Sequence, residues 1–210
     1  MTQKRGVLII LEGIDQSGKS SATKRISEIL NSKNIPTITQ PFPDRSTEIG
    51  QLIDAFLHGK NLPQQAVHLL YSANRWEVSQ KIIKTLQSGT NVICDRYAFS
   101  GIVYSIANGL DEKWCLGPDS GLPMPDEIFY LELELEEAER RRKTMQTDRY
   151  ENIQFQKKVK MEYEKLRDRM KWTSVDATLQ KEELAQKIVG LIEKRMEENQ
   201  FKEIETLELM

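Results

Sequence analysis

The apolar positions of this chain follow two periodicities that alternate from one end to the other. Residues 7–11, Val-Leu-Ile-Ile-Leu, are aliphatic without a break, the mark of a short strand covered on both faces. Beyond Gly13 and Gly18, the apolar residues Ile26, Ile29 and Leu30 return at helical spacing. Residues 37–39 predict a second strand, ended by Pro41 and Pro43. Ile49, Leu52, Ile53, Phe56 and Leu57 mark another helix, and 63–86 a long one punctuated by Gly89. Residues 91–94 predict a third buried strand, with a helix after Asp95 and a turn-rich stretch over 117–125. Strands are expected again at 128–133 and 172–175, helices fill the intervals, and a helix over 181–198 closes the fold. The charged residues 193–205 are expected to extend that last helix into solvent.

Strands alternating with helices at this spacing call for an α/β fold with a five-stranded parallel sheet flanked by helices. No repeat, low-complexity tract or interdomain linker interrupts the 210 residues, so a single domain over 1–210 is expected. Thirty Lys and Arg against 32 Asp and Glu leave a net charge of −2. That balance argues against nucleic acid as a partner, although clustered arginines can still grip a small anion. The first apolar run is too short for a signal-peptide core or a bilayer span. Cys94 and Cys115 are spaced for neither a metal site nor a disulfide framework. Together these point to a cytoplasmic protein without a membrane partner. His58 and His68 have no clustered ligand partners and read as structural.

The chemistry starts at Gly13-Ile14-Asp15-Gln16-Ser17-Gly18-Lys19-Ser20, which fits G-x-x-x-x-G-K-[ST] at every specified position and lies between a predicted strand and a helix. Gly13 and Gly18 let the loop turn its backbone N–H groups inward toward phosphate oxygens. Lys19 supplies a point charge to the β/γ-phosphates, the Ser20 hydroxyl suits Mg²⁺, and the following helix adds its positive dipole end. A nucleoside triphosphate is the expected ligand. No guanine-reading N-K-x-D motif accompanies the loop. Instead, Arg45 and Arg96 follow the second and third strands, Arg75 lies in the long helix, and Arg140, Arg141, Arg142 and Arg149 cluster late. Arginine suits phosphate because its planar fork donates two parallel hydrogen bonds. Positions beyond the carboxyl ends of parallel strands are where α/β folds bind ligands.

The strings PFPDRSTEIG (41–50), HLLYSANRWE (68–77), DRYAFSG (95–101), SGLPMPD (120–126) and DRYEN (148–152) resemble the thymidylate kinases, particularly the eukaryotic and poxvirus type. The resemblance runs in order from about Gly6 to Ala177. It implies the nucleoside-monophosphate-kinase variant of the P-loop fold with a mobile lid, here over 136–152, and a homodimer. The implied substrates are ATP and thymidine 5′-monophosphate (dTMP), with Mg²⁺, and the implied product is the diphosphate for DNA precursor synthesis. On the ATP side it implies Gly13, Gln16, Ser17, Gly18, Lys19, Ser20 and Ser21, with Ser20 and Asp95 toward the metal. For the acceptor, Arg45 and Arg96 match the arginines that hold the 5′-phosphate. Tyr71 occupies the position that stacks on thymine, and Arg75 the one that bonds a base carbonyl. Asp15 and Gln156 match residues around the deoxyribose, with Phe42, Tyr104 and Tyr150 lining that pocket. Asp95 is expected to orient either Arg96 or a metal-bound water.

This chain departs from the usual eukaryotic pattern in two places. Gln16 stands where the loop ordinarily carries an arginine, and the region after Leu135 is richer in arginine than the usual lid. The expected catalytic set is therefore Asp15, Lys19 and Arg96, with Arg141 or Arg142 reaching in from the lid. The run Glu132, Glu134, Glu136, Glu137 reads as an exposed strand end and helix start. A deoxynucleoside kinase with Asp44 as base, and a degenerate kinase that only binds nucleotide, remain as alternative readings. Arg45 beside Asp44 disfavours the first, and the intact Lys19, Ser20 and Asp95 disfavour the second.

Overall fold

The computed structural model describes residues 4–142 and 152–209. Strand β1 (Leu8–Glu12) runs into the glycine loop and helix α1 (Lys19–Ser32). Strand β2 (Thr37–Pro41), helix α2 (Glu48–Leu57) and helix α3 (Gln64–Gln87) follow. Strand β3 (Asn91–Asp95) leads to α4 (Ala98–Ala107), α5 (Glu112–Leu116) and a 3₁₀ turn, Gly117–Asp119. The chain continues through β4 (Glu127–Glu132), α6 (Leu135–Arg142), α7 (Ile153–Met170), β5 (Thr173–Asp176) and α8 (Lys181–Asn199). Tyr150 and most of the expected lid lie outside the described residues.

The five strands pair in the order β2-β3-β1-β4-β5, every pair parallel. Strand β1 is central, and Leu8, Ile9, Ile10 and Leu11 are wholly buried because helices cover both faces of the sheet. From β1 the chain steps outward to β2, returns beside β1 as β3, and then crosses to β4 on the other side. That reversal opens a crevice beyond the carboxyl ends of β1 and β3. A smaller apolar cluster of Ile53, Phe56, Leu57 and Val67 binds α2 to α3. Among the described residues, no helix is long and apolar enough to cross a membrane.

Two elements differ from the sequence reading. Strand β2 continues through Pro41, which pairs in register with Asp95. As an edge strand, β2 tolerates a residue with no N–H to give to a ladder. The charged tail does not prolong α8 to residue 205: the helix ends at Asn199 and the chain folds back. Leu207 and Leu209 are buried, and Pro123 and Thr206 form an antiparallel bridge. The alternating Thr206-Leu207-Glu208-Leu209 is a period-two pattern that the preceding charge run obscured.

Candidate active site

The glycine loop wraps its own lysine. Gly13 has φ +147° and Gly18 φ +90°, and a Cβ on Gly13 would stand 2.9 Å from the Leu131 carbonyl oxygen. Lys19 Nζ donates to the carbonyls of Gly13 (3.1 Å) and Ile14 (2.7 Å) and to Ser17 Oγ (3.2 Å). Burial, with the nearby charge of Arg96, pulls the Lys19 ammonium down to about 8. The N-terminus of α1 has no side-chain cap, so its N–H groups are available to an anion beside Gln16, Ser17, Ser20 and Ser21. Ser20 donates to the Asp95 carboxylate, a short contact across the carboxyl ends of β1 and β3. Among the described residues, the Arg96 side chain makes its hydrogen bonds to Gly13, Ser100, Tyr163 and Asp15.

Arg96 joins this loop to a second pocket. Its backbone is left-handed at φ +68°, a conformation costly for a side chain bearing Cβ and found where the surroundings impose it. The turn sends the guanidinium back over the loop, where Nη1 donates to the Gly13 carbonyl (3.2 Å) and Ser100 Oγ (3.1 Å). Nη2 pairs with Asp15, and the guanidinium lies 5.3 Å from the centre of the Tyr104 ring. Gln156 Nε2 donates to Asp15 (2.7 Å), and its Oε1 accepts the Asp15 N–H (3.1 Å). Asp15, Arg96, Tyr104 and Gln156, 141 positions apart at the extremes, thus form one cluster. Phe42, Arg45, Tyr71 and Arg75 line the same pocket. Arg45 stands exposed and pairs with Asp54 at 2.9 Å. Arg75 is buried and engaged by Asp119 through two bonds, 2.9 Å and 2.6 Å.

The sequence reading missed the carboxylate beneath this cluster. Glu12 is wholly buried at the end of β1 and accepts from the Tyr97 N–H (2.9 Å), the Ser100 N–H (3.2 Å), Ser100 Oγ (2.6 Å) and Tyr163 Oη (2.9 Å). Burial raises its pKa, while Ser100, Arg96 and Tyr163 draw it back. Ser100 and Tyr163 in turn touch Arg96, so Glu12 braces the arginine from behind. The available signal was a lone acid closing an aliphatic strand. Glu12→Ala strands these donors, and unfolding in urea should show a loss of roughly 2–4 kcal/mol. A loss under about 1 kcal/mol would show that the donors find other partners.

The arginine run on α6 divides by direction. Arg140 is exposed and bonds only Glu137 among the described residues. Arg141 turns to the glycine loop, with Nη1 3.4 Å from the Gln16 carbonyl and Nη2 3.0 Å from the Ala177 carbonyl. Arg142 lines a small cavity with Asp15, Gln16 and Gln156. Two of the three therefore face the loop that lacks its own arginine. Glu132, Glu134 and Glu136 are exposed, while Glu137 holds Arg140 and Arg141. His68 is structural as expected, bonded to Ser105 Oγ (2.7 Å) and the Cys115 carbonyl (3.1 Å).

A central parallel strand that delivers a glycine loop onto a helix, beside an arginine-lined second pocket, defines a P-loop kinase of the nucleoside-monophosphate-kinase type. The thymidylate kinase family model matches residues 11–188. Thymidylate kinase from Dictyostelium discoideum is 39% identical over 98% of this chain and 93% of its own length. The Homo sapiens enzyme is 39% identical over 85% of each. The solved structure of thymidylate kinase from Candida albicans superposes with a TM-score of 0.87 at 36% identity, covering 99% of this chain and all of that one. This chain belongs to the thymidylate kinase family.

Proposed function

We propose that the protein transfers the γ-phosphoryl group of ATP to the 5′-phosphate of dTMP, giving thymidine diphosphate for DNA precursor synthesis. The observation that carries this is Arg96, which touches the carbonyl of Gly13 in the triphosphate loop and also walls the acceptor pocket. One cation thus stands between donor and acceptor phosphates, where negative charge must be held together. The reaction needs alignment and charge neutralisation more than a strong base, because the acceptor phosphate is already a nucleophile. Lys19 and the N–H groups of the loop hold the donor, and Arg45 with Arg96 holds the acceptor phosphate. Asp15, fixed by Arg96 and Gln156, faces the sugar, with Phe42, Tyr71 and Tyr104 flanking sugar and base. Tyr150 belongs to the same proposal, although it lies outside the described residues.

Mg²⁺ fits the residues present. Ser20 and Asp95 bring two hard oxygen donors together beside the loop, and the described residues contain no cluster of three or more His, Cys, Asp or Glu able to hold a metal alone. Magnesium is normally held this way, by one or two protein groups plus waters and substrate phosphates. When bound it neutralises phosphate charge. A homodimer and a cytoplasmic location complete the proposal. Leu52, Leu69 and Trp76 expose apolar surface on α2 and α3, and both cysteines are free and buried.

Base choice tests the acceptor side. Arg75 meets a carbonyl on thymine but an amino group on cytosine, which would leave a buried guanidinium N–H without an acceptor. Deoxycytidine monophosphate (dCMP) should therefore show a kcat/KM lower than dTMP by roughly 10³-fold or more. Comparable values for the two would reject this specificity.

A further inference from the structure

Arg75 is 2% exposed and does not stand alone. Asp119 is wholly buried and grips it from one side, accepting from Nε on Oδ1 and from Nη2 on Oδ2. From the other side Gly101 presses so close that a Cβ there would lie 2.7 Å from Nη2. The guanidinium is thus confined between a carboxylate and a helix backbone, with one edge on the acceptor pocket. A flexible arginine would waste much of its discrimination, since small displacements of a recognising group cost large factors in rate or affinity.

Asp119 ends a short 3₁₀ turn that follows directly on α5. Two other attachments hold it. On α3, Ser72 Oγ and Trp76 Nε1 both donate to the Pro118 carbonyl, each at 2.9 Å. On the far side, the C-terminal segment runs antiparallel to the residues just after the turn. Gly121 N–H donates to the Leu207 carbonyl (2.9 Å), Leu207 N–H to the Leu122 carbonyl (2.8 Å), and Met124 N–H to the Glu205 carbonyl (2.8 Å). Leu207 is buried and anchors the segment.

We infer that Asp119 is a positioning residue for base recognition, orienting Arg75, and that the segment around Leu207 is the clasp that holds Asp119 in register. The inference rests on the proposed reading of Arg75 as the residue that meets the base. It assigns a substrate-side role to the C-terminal segment, which reaches the acceptor pocket through Asp119 and Arg75.

The test is Asp119→Asn in the full chain, with kinetics for dTMP, dCMP and ATP. Asparagine keeps the shape but turns an amide N–H₂ toward one of the guanidinium N–H groups. KM for dTMP should rise roughly tenfold or more and dTMP/dCMP discrimination should fall by a similar factor, while KM for ATP stays within about twofold. A general loss of structure would instead move the ATP and dTMP constants together. Leu207→Ala, remote from both substrates, should raise KM for dTMP about threefold or more with the same ATP constant. It carries the test if Asp119→Asn does not fold. Unchanged dTMP constants in folded Asp119→Asn would overturn the positioning role, and unchanged constants in Leu207→Ala the clasp. Arg75→Lys, measured alongside, separates the two levels. If discrimination survives that change, the base-reading role of Arg75 falls and this inference with it. If discrimination is lost there but kept in Asp119→Asn, only the inference falls.

Discussion

Lys19→Ala is expected to leave a folded protein that has lost at least ~10³-fold in kcat, on the order of 4 kcal/mol of transition-state stabilisation. The lysine is bonded to Gly13, Ile14 and Ser17 inside its own loop. Those three oxygens take up the three ammonium N–H donors, yet burial still pulls the group down to about 8. A depressed amine pKa means that the charged form is disfavoured in the folded state. Removing that charge is therefore not expected to unfold the chain, and Tm should stay within a few degrees of the parent. What disappears is the response to phosphate: ATP should no longer raise Tm, because the added stability follows the binding affinity. A folded Lys19→Ala protein turning over at near-parent rate would remove the loop from the mechanism.

The double substitution Arg141→Ala with Arg142→Ala is expected to lower kcat roughly a hundredfold or more, on the order of 3 kcal/mol, with little change in apparent ATP affinity. Gln16 is neutral and donates only an ordinary hydrogen bond, so the cation that an ATP γ-phosphate needs must come from elsewhere. Arg141 already reaches the Gln16 carbonyl, and Arg142 borders the cavity shared by Asp15 and Gln16. In other P-loop systems an arginine supplied to the γ-phosphate is worth ~10³–10⁵ in rate, so a hundredfold is a conservative floor. Arg140 is the internal control. Its side chain is 76% exposed and turned to Glu137, so Arg140→Ala should leave kcat within about twofold. A double variant that keeps kcat within about threefold of the parent would assign the role to Gln16 or to a more distant arginine.

The parts of the site that the sequence displayed are those made by local pattern. An aliphatic strand, two glycines and a Lys-Ser pair lie consecutively from 7 to 20, and the geometry of a phosphate loop follows from that order alone. The strand-end positions of Arg45 and Arg96 were legible for the same reason. What stayed hidden depends on chain segments that meet only after folding. Glu12 and Tyr163 are 151 residues apart, and Arg75 and Asp119 are 44 apart. No periodicity links either pair. The division among Arg140, Arg141 and Arg142 was hidden differently. Successive residues of a helix point about 100° apart, so their roles depend on the rotation of α6, which packing against its neighbours decides. The fold-back of the tail was masked because a strand-like alternation of only four residues follows a long helical charge pattern.

Phosphoryl transfer to the phosphate of dTMP, rather than to a sugar hydroxyl, is the central claim. The direct measurement is to supply the protein with γ-labelled ATP, Mg²⁺ and either dTMP or thymidine, and to separate the nucleotide products. The account predicts label in thymidine diphosphate, formed in equal amounts with ADP, and no labelled dTMP from thymidine. Labelled dTMP formed from thymidine, with dTMP itself left unphosphorylated, would contradict it and return Asp44 to consideration as a base.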